Sequence, residues 1–200
     1  MIQTNDLRIA GVRPLIPPEL LKREFPLSDD QARFVLEGRN TVENILKKND
    51  PRMMAIVGPC SIHDPDSALE YAAKLAKLAK RIEDRIFTVM RVYFEKPRTT
   101  VGWQGLILDP DLDGSYDIAR GLEIARQTLI EITALGLPAG SEILDPIVPQ
   151  YIDDLVSWAA IGARTTERQT HRNISSGLSM PVGFKNSTSG SFELAVNAMQ

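Results

Sequence analysis

Short apolar segments alternate with amphipathic helical segments along most of this chain, and this alternation limits the possible folds more than any other feature. The apolar segments are continuous, as in strands that are buried on both faces of a parallel sheet and joined by helices. The predicted strands lie at residues 53–58, 86–94, 137–143, 158–163 and 181–185. The predicted helices behind them lie at residues 66–81, 116–135, 150–157 and 166–176, and a fifth begins near residue 191. Five such units in a row predict an α/β fold, either a (β/α)8 barrel or an open doubly wound sheet.

The glycine-rich motifs of nucleotide-binding sheets do not occur after any of the predicted strands. Neither GxGxxG nor GxxxxGK[ST] is found there, which weakens the nucleotide-binding version of the doubly wound alternative. A barrel needs eight strands and about 250 residues, whereas this chain has 200 residues and five predicted units. If the fold is a barrel, we therefore expect it to be incomplete.

Residues 1–50 precede the alternating pattern and are predicted to be an N-terminal extension to a barrel portion at residues 51–200. Three prolines interrupt residues 7–21, so this stretch is predicted to be extended or turn-like. A helix is predicted over residues 28–48, where Ser28 is a candidate N-cap ahead of a partial apolar stripe.

Composition excludes several classes of protein. The net charge is −3 and the pI is near 5.5, which argues against general affinity for nucleic acid or for anionic membranes. No apolar run approaches the roughly 18 residues of a membrane span, and the N-terminus lacks the apolar core of a signal peptide. The single cysteine excludes an internal disulfide framework and fits a cytoplasmic location.

Cations and a thiol follow four of the five predicted strands. In a barrel these carboxyl ends meet at one mouth, so their side chains are expected to converge. The residues concerned are Cys60, Arg91, Lys96, Arg98, Arg164 and Lys185, with Glu142 after the third strand. A cation at one strand end is commonly a solvated rim residue, but its repetition at several ends favours a binding site for anions.

The segment RVYFEKPRTTVGW, residues 91–103, concentrates charge around one proline. The residue before a proline is extended, so Lys96 and Arg98 are predicted to project to the same side. Thr99 and Thr100 add hydroxyl donors, and an arginine fork matches phosphate or carboxylate oxygens. The segment predicts a receptor for a multiply anionic substrate; spacing alone leaves an ordinary basic surface loop as the alternative.

Cys60 has three interpretations. It could be a buried small hydrophobic residue, a nucleophile or a soft metal ligand, and His63 is close enough in sequence to supply a second ligand. A zinc site of cysteines alone is excluded within one chain, because there is no second cysteine. His171 lies among polar residues of a predicted helix and is predicted to be solvated.

Four segments of this sequence together resemble the type I 3-deoxy-D-arabino-heptulosonate-7-phosphate (DAHP) synthases. The segments are GPCSIHDP (58–65), RVYFEKPRTTVGWQG (91–105), SWAAIGARTTERQTHR (157–172) and SGLSMPVGFKN (176–186). The resemblance implies a (β/α)8 barrel that condenses phosphoenolpyruvate with erythrose 4-phosphate, the first step of the shikimate pathway to aromatic amino acids. It also implies a divalent metal of the Mn, Fe, Co or Zn class, a homo-oligomer and inhibition by an aromatic amino acid.

The resemblance also implies roles for individual residues. The phosphate and carboxylate of phosphoenolpyruvate would be held by Arg91, Lys96, Arg164 and Lys185, with Glu142 and Ala163 beside them. Erythrose 4-phosphate would contact Pro97, Arg98 and Thr99. Cys60 would be a metal ligand, and the effector pocket would include Pro149, Gln150, Leu178 and Ser179. Residues 1–50 match the family's extension, which carries regulatory and dimer contacts.

Two departures from the family pattern affect these expectations. The sequence has GFKNSTSGS where the family has GFKNGTDGS, so Ser187 is expected to carry a modest strain cost if its backbone φ is positive. The family takes its other metal ligands, a His, a Glu and an Asp, from strands six to eight. We therefore expect this chain to be a fragment or a truncated product, unstable and inactive alone. The alternatives are a non-catalytic remnant and the related 3-deoxy-octulosonate-8-phosphate synthases.

Overall fold

A computed structural model describes residues 4–9 and 11–200, and within them five strands form one parallel sheet. The strands are β1 (Met53–Val57), β2 (Ile86–Arg91), β3 (Ala139–Glu142), β4 (Trp158–Ile161) and β5 (Val182–Phe184). They pair in sequence order, each parallel to the next. A doubly wound sheet reverses its strand order at a switch point, whereas an unbroken sequential order is that of a (β/α)8 barrel. The predicted partial barrel is confirmed.

Seven α-helices surround this sheet in the described part of the chain. They are α1 (Pro18–Glu24), α2 (Asp29–Leu46), α3 (Pro65–Ile82), α4 (Ile118–Ala134), α5 (Pro149–Ile152), α6 (Gln169–Gly177) and α7 (Glu193–Ala198). The segment predicted as a helix at 150–157 is the short α5 followed by a 3-10 turn, Asp153–Leu155. The other helices lie close to their predicted positions.

Local capping explains where the long helices begin. The Ser28 hydroxyl accepts from the backbone N–H of Gln31, whose side chain accepts in return from the Ser28 N–H, and this pair forms a capping box at the start of α2. The Asp64 carboxylate accepts two backbone N–H groups of the first turn of α3, which begins with a proline. These bonds satisfy N–H groups that have no partner inside the helix.

The prediction of an extended chain over residues 7–21 is wrong from Pro18 onward. α1 begins at Pro18, and Leu21 within it is fully buried. A proline in the first helical turn removes an N–H that has no intrahelical partner, and its fixed φ suits a helix. The same residue type therefore breaks a helix interior but starts a helix here.

The main core lies between the sheet and the helices that connect its strands. Leu122, Leu129 and Ile132 on α4 pack with Met90 of β2 and are essentially inaccessible to solvent. The sheet is open in the described residues, with β1 and β5 at its two edges. An open sheet with two edge strands is what we expected of an incomplete barrel.

A buried arginine attaches the end of α1 to the barrel portion. Arg126 on α4 is 1% exposed, and its guanidinium binds both carboxylate oxygens of Asp154 at 2.8 and 2.9 Å. It also donates to the carbonyl oxygens of Phe25 and Tyr151 at 2.8 and 2.9 Å. One side chain thus joins the end of α1, α4 and the segment after α5. The boundary at residue 50 stays a prediction.

None of the helices described at residues 4–9 and 11–200 combines the length and the apolar character needed to cross a bilayer.

Replacing Arg126 is expected to weaken the whole fold. Arg126→Ala leaves Asp154 and two backbone carbonyls without their donor, so we expect the free energy of unfolding to fall by about 3 kcal/mol. Arg33→Ala is the matched control, because Arg33 pairs with Asp30 in an ion pair whose side chains are 69% and 90% exposed; its loss should cost less than about 0.5 kcal/mol. Urea unfolding followed by circular dichroism measures both, and equal losses would contradict this account.

Candidate functional site

One pocket lies at the carboxyl ends of the strands, and residues following all five strands line it. We call it the central pocket; its volume is about 280 Å³. Its lining comprises Cys60, Arg91, Glu95, Lys96, Pro97, Arg98, Glu142, Leu144, Gly162, Ala163, Arg164, Thr165 and Lys185. The predicted convergence of the strand-end residues is therefore observed.

Five cations face this pocket without a carboxylate partner. In the described ranges, none of the ion pairs involves Arg91, Lys96, Arg98, Arg164 or Lys185. Positive charges without carboxylate partners, gathered in a concave site, raise the local concentration of anions. The pocket is thus suited to a ligand that carries more than one negative charge.

The ring of Tyr93 supports two of these cations. The Arg91 guanidinium carbon lies 3.9 Å from the ring centroid, and the Lys185 Nζ lies 5.8 Å from it. Burial raises the pKa of Tyr93 to about 12; the Arg91 charge opposes this shift and the Glu142 charge adds to it. The phenol is therefore neutral at pH 7, and its ring faces the cations without adding a charge of its own.

Cys60 is exposed, so its interpretation as a buried hydrophobic residue is wrong. Its Sγ lies 2.9 Å from the Lys96 Nζ. The hydrogen bond and charge of Lys96 lower the pKa of the thiol, and the more distant charges of Arg91 and Arg98 add to the effect. The thiolate is the form that reacts as a nucleophile and binds soft metals.

A complete metal site is not formed by the residues that the structure describes. Among them, no group of three His, Cys, Asp or Glu side chains is placed to hold a metal ion. Of the two candidate ligands, Cys60 has a lysine as its polar neighbour, and His63 is exposed and outside the lining of the central pocket. The donor set present does not fit a metal centre by itself, so the metal remains a prediction from the resemblance.

The loop after β2 is closed on itself, which fixes the direction of its cations. Glu95 and Gly105 form an antiparallel bridge, and the Lys96 N–H donates to the Gln104 carbonyl at 2.8 Å. The Arg98 Nε donates to the Trp103 carbonyl at 2.8 Å. Lys96 and Arg98 both line the central pocket, as predicted from the proline between them.

A second pocket of about 410 Å³ adjoins the central one and shares several of its walls. It is lined by Lys96, Pro97, Arg98, Thr100, Gln104, Leu108, Leu144, Arg164, Thr165, Arg168 and His171. Thr100 lines this second pocket, whereas Thr99 is exposed and lies outside the linings of both. Arg168 adds a cation that the sequence reasoning did not single out.

Glu142 lies directly against the backbone of the next strand end. A Cβ atom built on Gly162 would be 2.0 Å from the Glu142 Oε1. Glycine at this position therefore leaves the space that the Glu142 carboxylate occupies. Ala163 follows in the same lining.

Glu95 is a central-pocket residue whose role the sequence reasoning missed. It is only 4% exposed, its Oε1 accepts from the Asp145 N–H at 3.1 Å, and its Oε2 has no partner among the described residues. Burial raises the pKa of Glu95 to about 8, and the charges of Asp145 and Glu142 add to the shift. The available signal was a carboxylate placed directly after a continuous apolar run.

The prediction of a solvated His171 is wrong. The side chain is 6% exposed, and its Nε2 lies 2.7 Å from the Leu144 carbonyl oxygen. The polar residues around it in sequence face solvent, while this one side chain points inward from α6. Its ring lines the second pocket.

The four predicted effector residues lie away from the central pocket. Pro149 is buried and Gln150 exposed at the start of α5; Leu178 packs against the core and Ser179 is exposed after α6. None of the four belongs to the lining of the central or second pocket. Their role in binding an effector stays a prediction.

The strain expected at Ser187 is not observed. Ser187 is absent from the non-glycine residues with positive φ. Its buried hydroxyl lies 2.8 Å from the Ser189 hydroxyl and accepts from the Ser191 N–H at 3.1 Å. The two serines that depart from the family pattern therefore bond to each other within their own turn.

Comparison with known proteins gives one consistent family. The family model described as "DAHP synthetase I family" matches residues 24–200. A relative from Salmonella typhimurium, named "Phospho-2-dehydro-3-deoxyheptonate aldolase, Tyr-sensitive", is 56% identical over 98% of this chain and 55% of its own. A relative from Enterobacter agglomerans with the same enzyme name, "Trp-sensitive", is 55% identical over 100% of this chain and 58% of its own.

A solved structure of a protein with the same enzyme name matches the fold of this chain. The phospho-2-dehydro-3-deoxyheptonate aldolase from Francisella tularensis SCHU S4 superposes with a TM-score of 0.93 at 50% identity, covering 95% of this chain and 56% of that one. The chain thus spans about half the length of the curated relatives it matches.

The buried Glu95 is expected to make stability depend on pH. Its pKa is about 8 in the folded protein against an ordinary 4.5, so between these values the unfolded chain is ionised while the folded one stays protonated. The contribution of Glu95 to the free energy of unfolding is fully present below about pH 4.5 and is lost as the pH rises to about 8. In Glu95→Gln this component is absent, so the variant should gain on the order of 3 kcal/mol relative to wild type between pH 5 and pH 8.

Urea unfolding of both proteins at several pH values measures this difference. Glu70→Gln is the matched control, because Glu70 is exposed on α3 and pairs with Lys74. Parallel pH profiles for wild type and Glu95→Gln would show that Glu95 is not protonated in the folded protein.

Proposed function

The chain belongs to the DAHP synthetase I family, and on that premise we propose that its central pocket holds phosphoenolpyruvate for condensation with erythrose 4-phosphate. The reaction forms one carbon–carbon bond and releases inorganic phosphate, giving DAHP. The observation that carries this proposal is the set of five cations, none with a carboxylate partner in the described residues, in one pocket at the strand ends. Both substrates are phosphorylated, so a strongly cationic site is what they require.

The cations have two tasks in this proposal. They offset the repulsion between two anionic substrates, and they hold both in one orientation, which reduces the entropy lost on reaching the transition state. Arg91, Lys96, Arg164 and Lys185 contact the phosphate and carboxylate of phosphoenolpyruvate, beside Glu142 and Ala163. An arginine fork can bind either group with two parallel hydrogen bonds.

The second pocket receives erythrose 4-phosphate in this proposal. Arg98 lies in both pockets and Pro97 beside it shapes their common wall. Thr100 supplies a hydroxyl on this side, and we propose Thr99, exposed next to it, as a further contact for erythrose 4-phosphate. Arg168 contributes a further positive charge for the phosphate.

We propose Cys60 as a ligand of the divalent metal. A metal of the Mn, Fe, Co or Zn class would polarise a carbonyl oxygen or activate a water when bound. The hydrogen bond from Lys96 favours the thiolate form that such a metal requires. We place the enzyme in the cytoplasm, in keeping with its single cysteine.

Substrate preference tests the assignment of the two pockets. With protein isolated from its source cells, we expect phosphate release from phosphoenolpyruvate and erythrose 4-phosphate, with little from phosphoenolpyruvate and arabinose 5-phosphate. Arg98→Ala should raise the KM for erythrose 4-phosphate about tenfold or more, because the variant loses a charge-assisted hydrogen bond to that substrate. For the same reason, Arg91→Ala should raise the KM for phosphoenolpyruvate about tenfold or more. Arg85→Ala is the control, because Arg85 is exposed just before β2, at the opposite end of that strand.

Two results would count against the proposal. Equal or faster release with arabinose 5-phosphate would indicate an octulosonate-phosphate synthase. No release with either aldose would exclude the synthase reaction.

The names of the relatives support regulation by an aromatic amino acid. The two curated relatives are named as sensitive to tyrosine and to tryptophan at nearly equal identity. Similarity therefore does not select one amino acid for this chain. We propose a homo-oligomer with an effector pocket that includes Pro149, Gln150, Leu178 and Ser179.

Calorimetric titration with phenylalanine, tyrosine and tryptophan tests the effector pocket. We expect one of them to bind, and Gln150→Ala to weaken it about fivefold or more through a lost hydrogen bond. Lys77→Ala, an exposed position on α3 and outside the N-terminal extension, is the control for a surface change elsewhere. Binding that is indifferent to Gln150, Leu178 and Ser179 would place the effector at another site.

A further inference from the structure

A single peptide group, the one that joins Leu144 to Asp145, is hydrogen-bonded by buried side chains at both of its polar atoms. Its N–H donates to the Glu95 Oε1 at 3.1 Å. Its carbonyl oxygen lies 2.7 Å from the His171 Nε2. Because both atoms belong to one rigid plane, Glu95 and His171 hold the same unit from opposite edges.

The chemistry of these bonds determines the proton position on the histidine. A carbonyl oxygen can only accept, so the His171 Nε2 must carry the hydrogen that it donates. In the neutral ring the Nδ1 is then an acceptor, and it has no partner among the described residues. The Glu95 Oε2 also lacks a partner there.

Both side chains are costly to bury in this state. Glu95 is 4% exposed and His171 is 6% exposed, and a buried polar atom without a partner destabilises a fold. Two such residues converging on one peptide group indicate that the position of that group matters more than the lost stability.

The held peptide lies in the wall between the two pockets. Glu142, at the end of β3, precedes it by two residues and lines the central pocket, and Leu144 lines both pockets. Of these two pockets, Glu95 lines only the central one, and His171 lines only the second one. The two side chains therefore reach the shared wall from its two sides.

We propose that Glu95 and His171 are positioning residues that fix the Leu144–Asp145 peptide, and with it the wall that the second substrate meets. We call this arrangement the peptide clamp. His171 acts through the peptide rather than on reacting atoms. The kinetic part of the test rests on the proposed function, and the exchange part does not.

Amide hydrogen exchange at Asp145, measured by NMR on the full-length protein, tests the clamp without any assay of activity. His171→Leu and Glu95→Leu each remove one bond to the peptide, and each should speed exchange about tenfold. The double variant should exchange at nearly the rate of the singles, because both bonds restrain one unit and their effects are not additive. Thr170→Ala, an exposed neighbour on α6, should leave the rate unchanged.

The kinetic arm separates positioning from general stability. His171→Leu should raise the KM for erythrose 4-phosphate about tenfold, while the KM for phosphoenolpyruvate changes by less than about threefold. His171→Gln retains an N–H at a similar distance from the backbone and should return the KM to within about threefold of wild type. Melting temperatures identify any variant that fails to fold.

Each outcome is decisive. Unchanged exchange in His171→Leu, or a double variant whose acceleration is the product of the singles, would overturn the clamp. Altered exchange with an unchanged KM would overturn its role in positioning the substrate. If His171→Leu does not fold, ¹⁵N NMR of the wild-type ring decides, with an Nε2–H tautomer expected and an Nδ1–H tautomer contradicting the clamp. A wild-type protein inactive with both aldoses would refute the proposed function, and the exchange results would still judge the clamp.

Discussion

Parallel pairing in sequence order is the constraint on which the rest of this structure depends. Each strand of a parallel sheet ends at the same edge as its neighbours, so the residues after β1 to β5 are brought together although they lie far apart in the chain. Cys60, Arg91, Glu142, Arg164 and Lys185 share a pocket for this reason. The helices contribute indirectly: they bury the outer face of the sheet, and capping at Ser28 and Asp64 sets where two of them begin.

Charge balance follows from that arrangement. Two carboxyl groups, Glu95 and Glu142, face five cations in the central pocket. Burial holds the pKa of Glu95 near 8, so this group is mostly neutral at pH 7 and does not cancel a positive charge. The aromatic face of Tyr93 steadies Arg91 and Lys185 without neutralising them. The pocket therefore keeps a net positive charge at pH 7.

The features that the sequence predicts here are those with local causes. Continuous apolar runs predict the five strands, and the Ser28 cap predicts the start of α2, because the groups involved are neighbours in sequence. Pro18 was assigned wrongly, since a proline has opposite effects inside a helix and at its first turn. The hydrogen bonds of His171 and Glu95 were beyond local reasoning, because their partners are backbone groups 27 and 50 residues away. A polar neighbourhood in sequence says nothing about a contact of that kind.

The chain from the clamped peptide to α5 is short and is held at both ends. At one end Glu95 and His171 hold the Leu144–Asp145 peptide. At the other end the Tyr151 hydroxyl donates to the Ile16 carbonyl at 2.8 Å, and the Tyr151 carbonyl accepts from Arg126, which also holds Phe25. Between them lie Pro146 and Pro149, whose rings fix φ. Few backbone torsions therefore remain to absorb a displacement of the N-terminal segment before it reaches the wall shared by the two pockets.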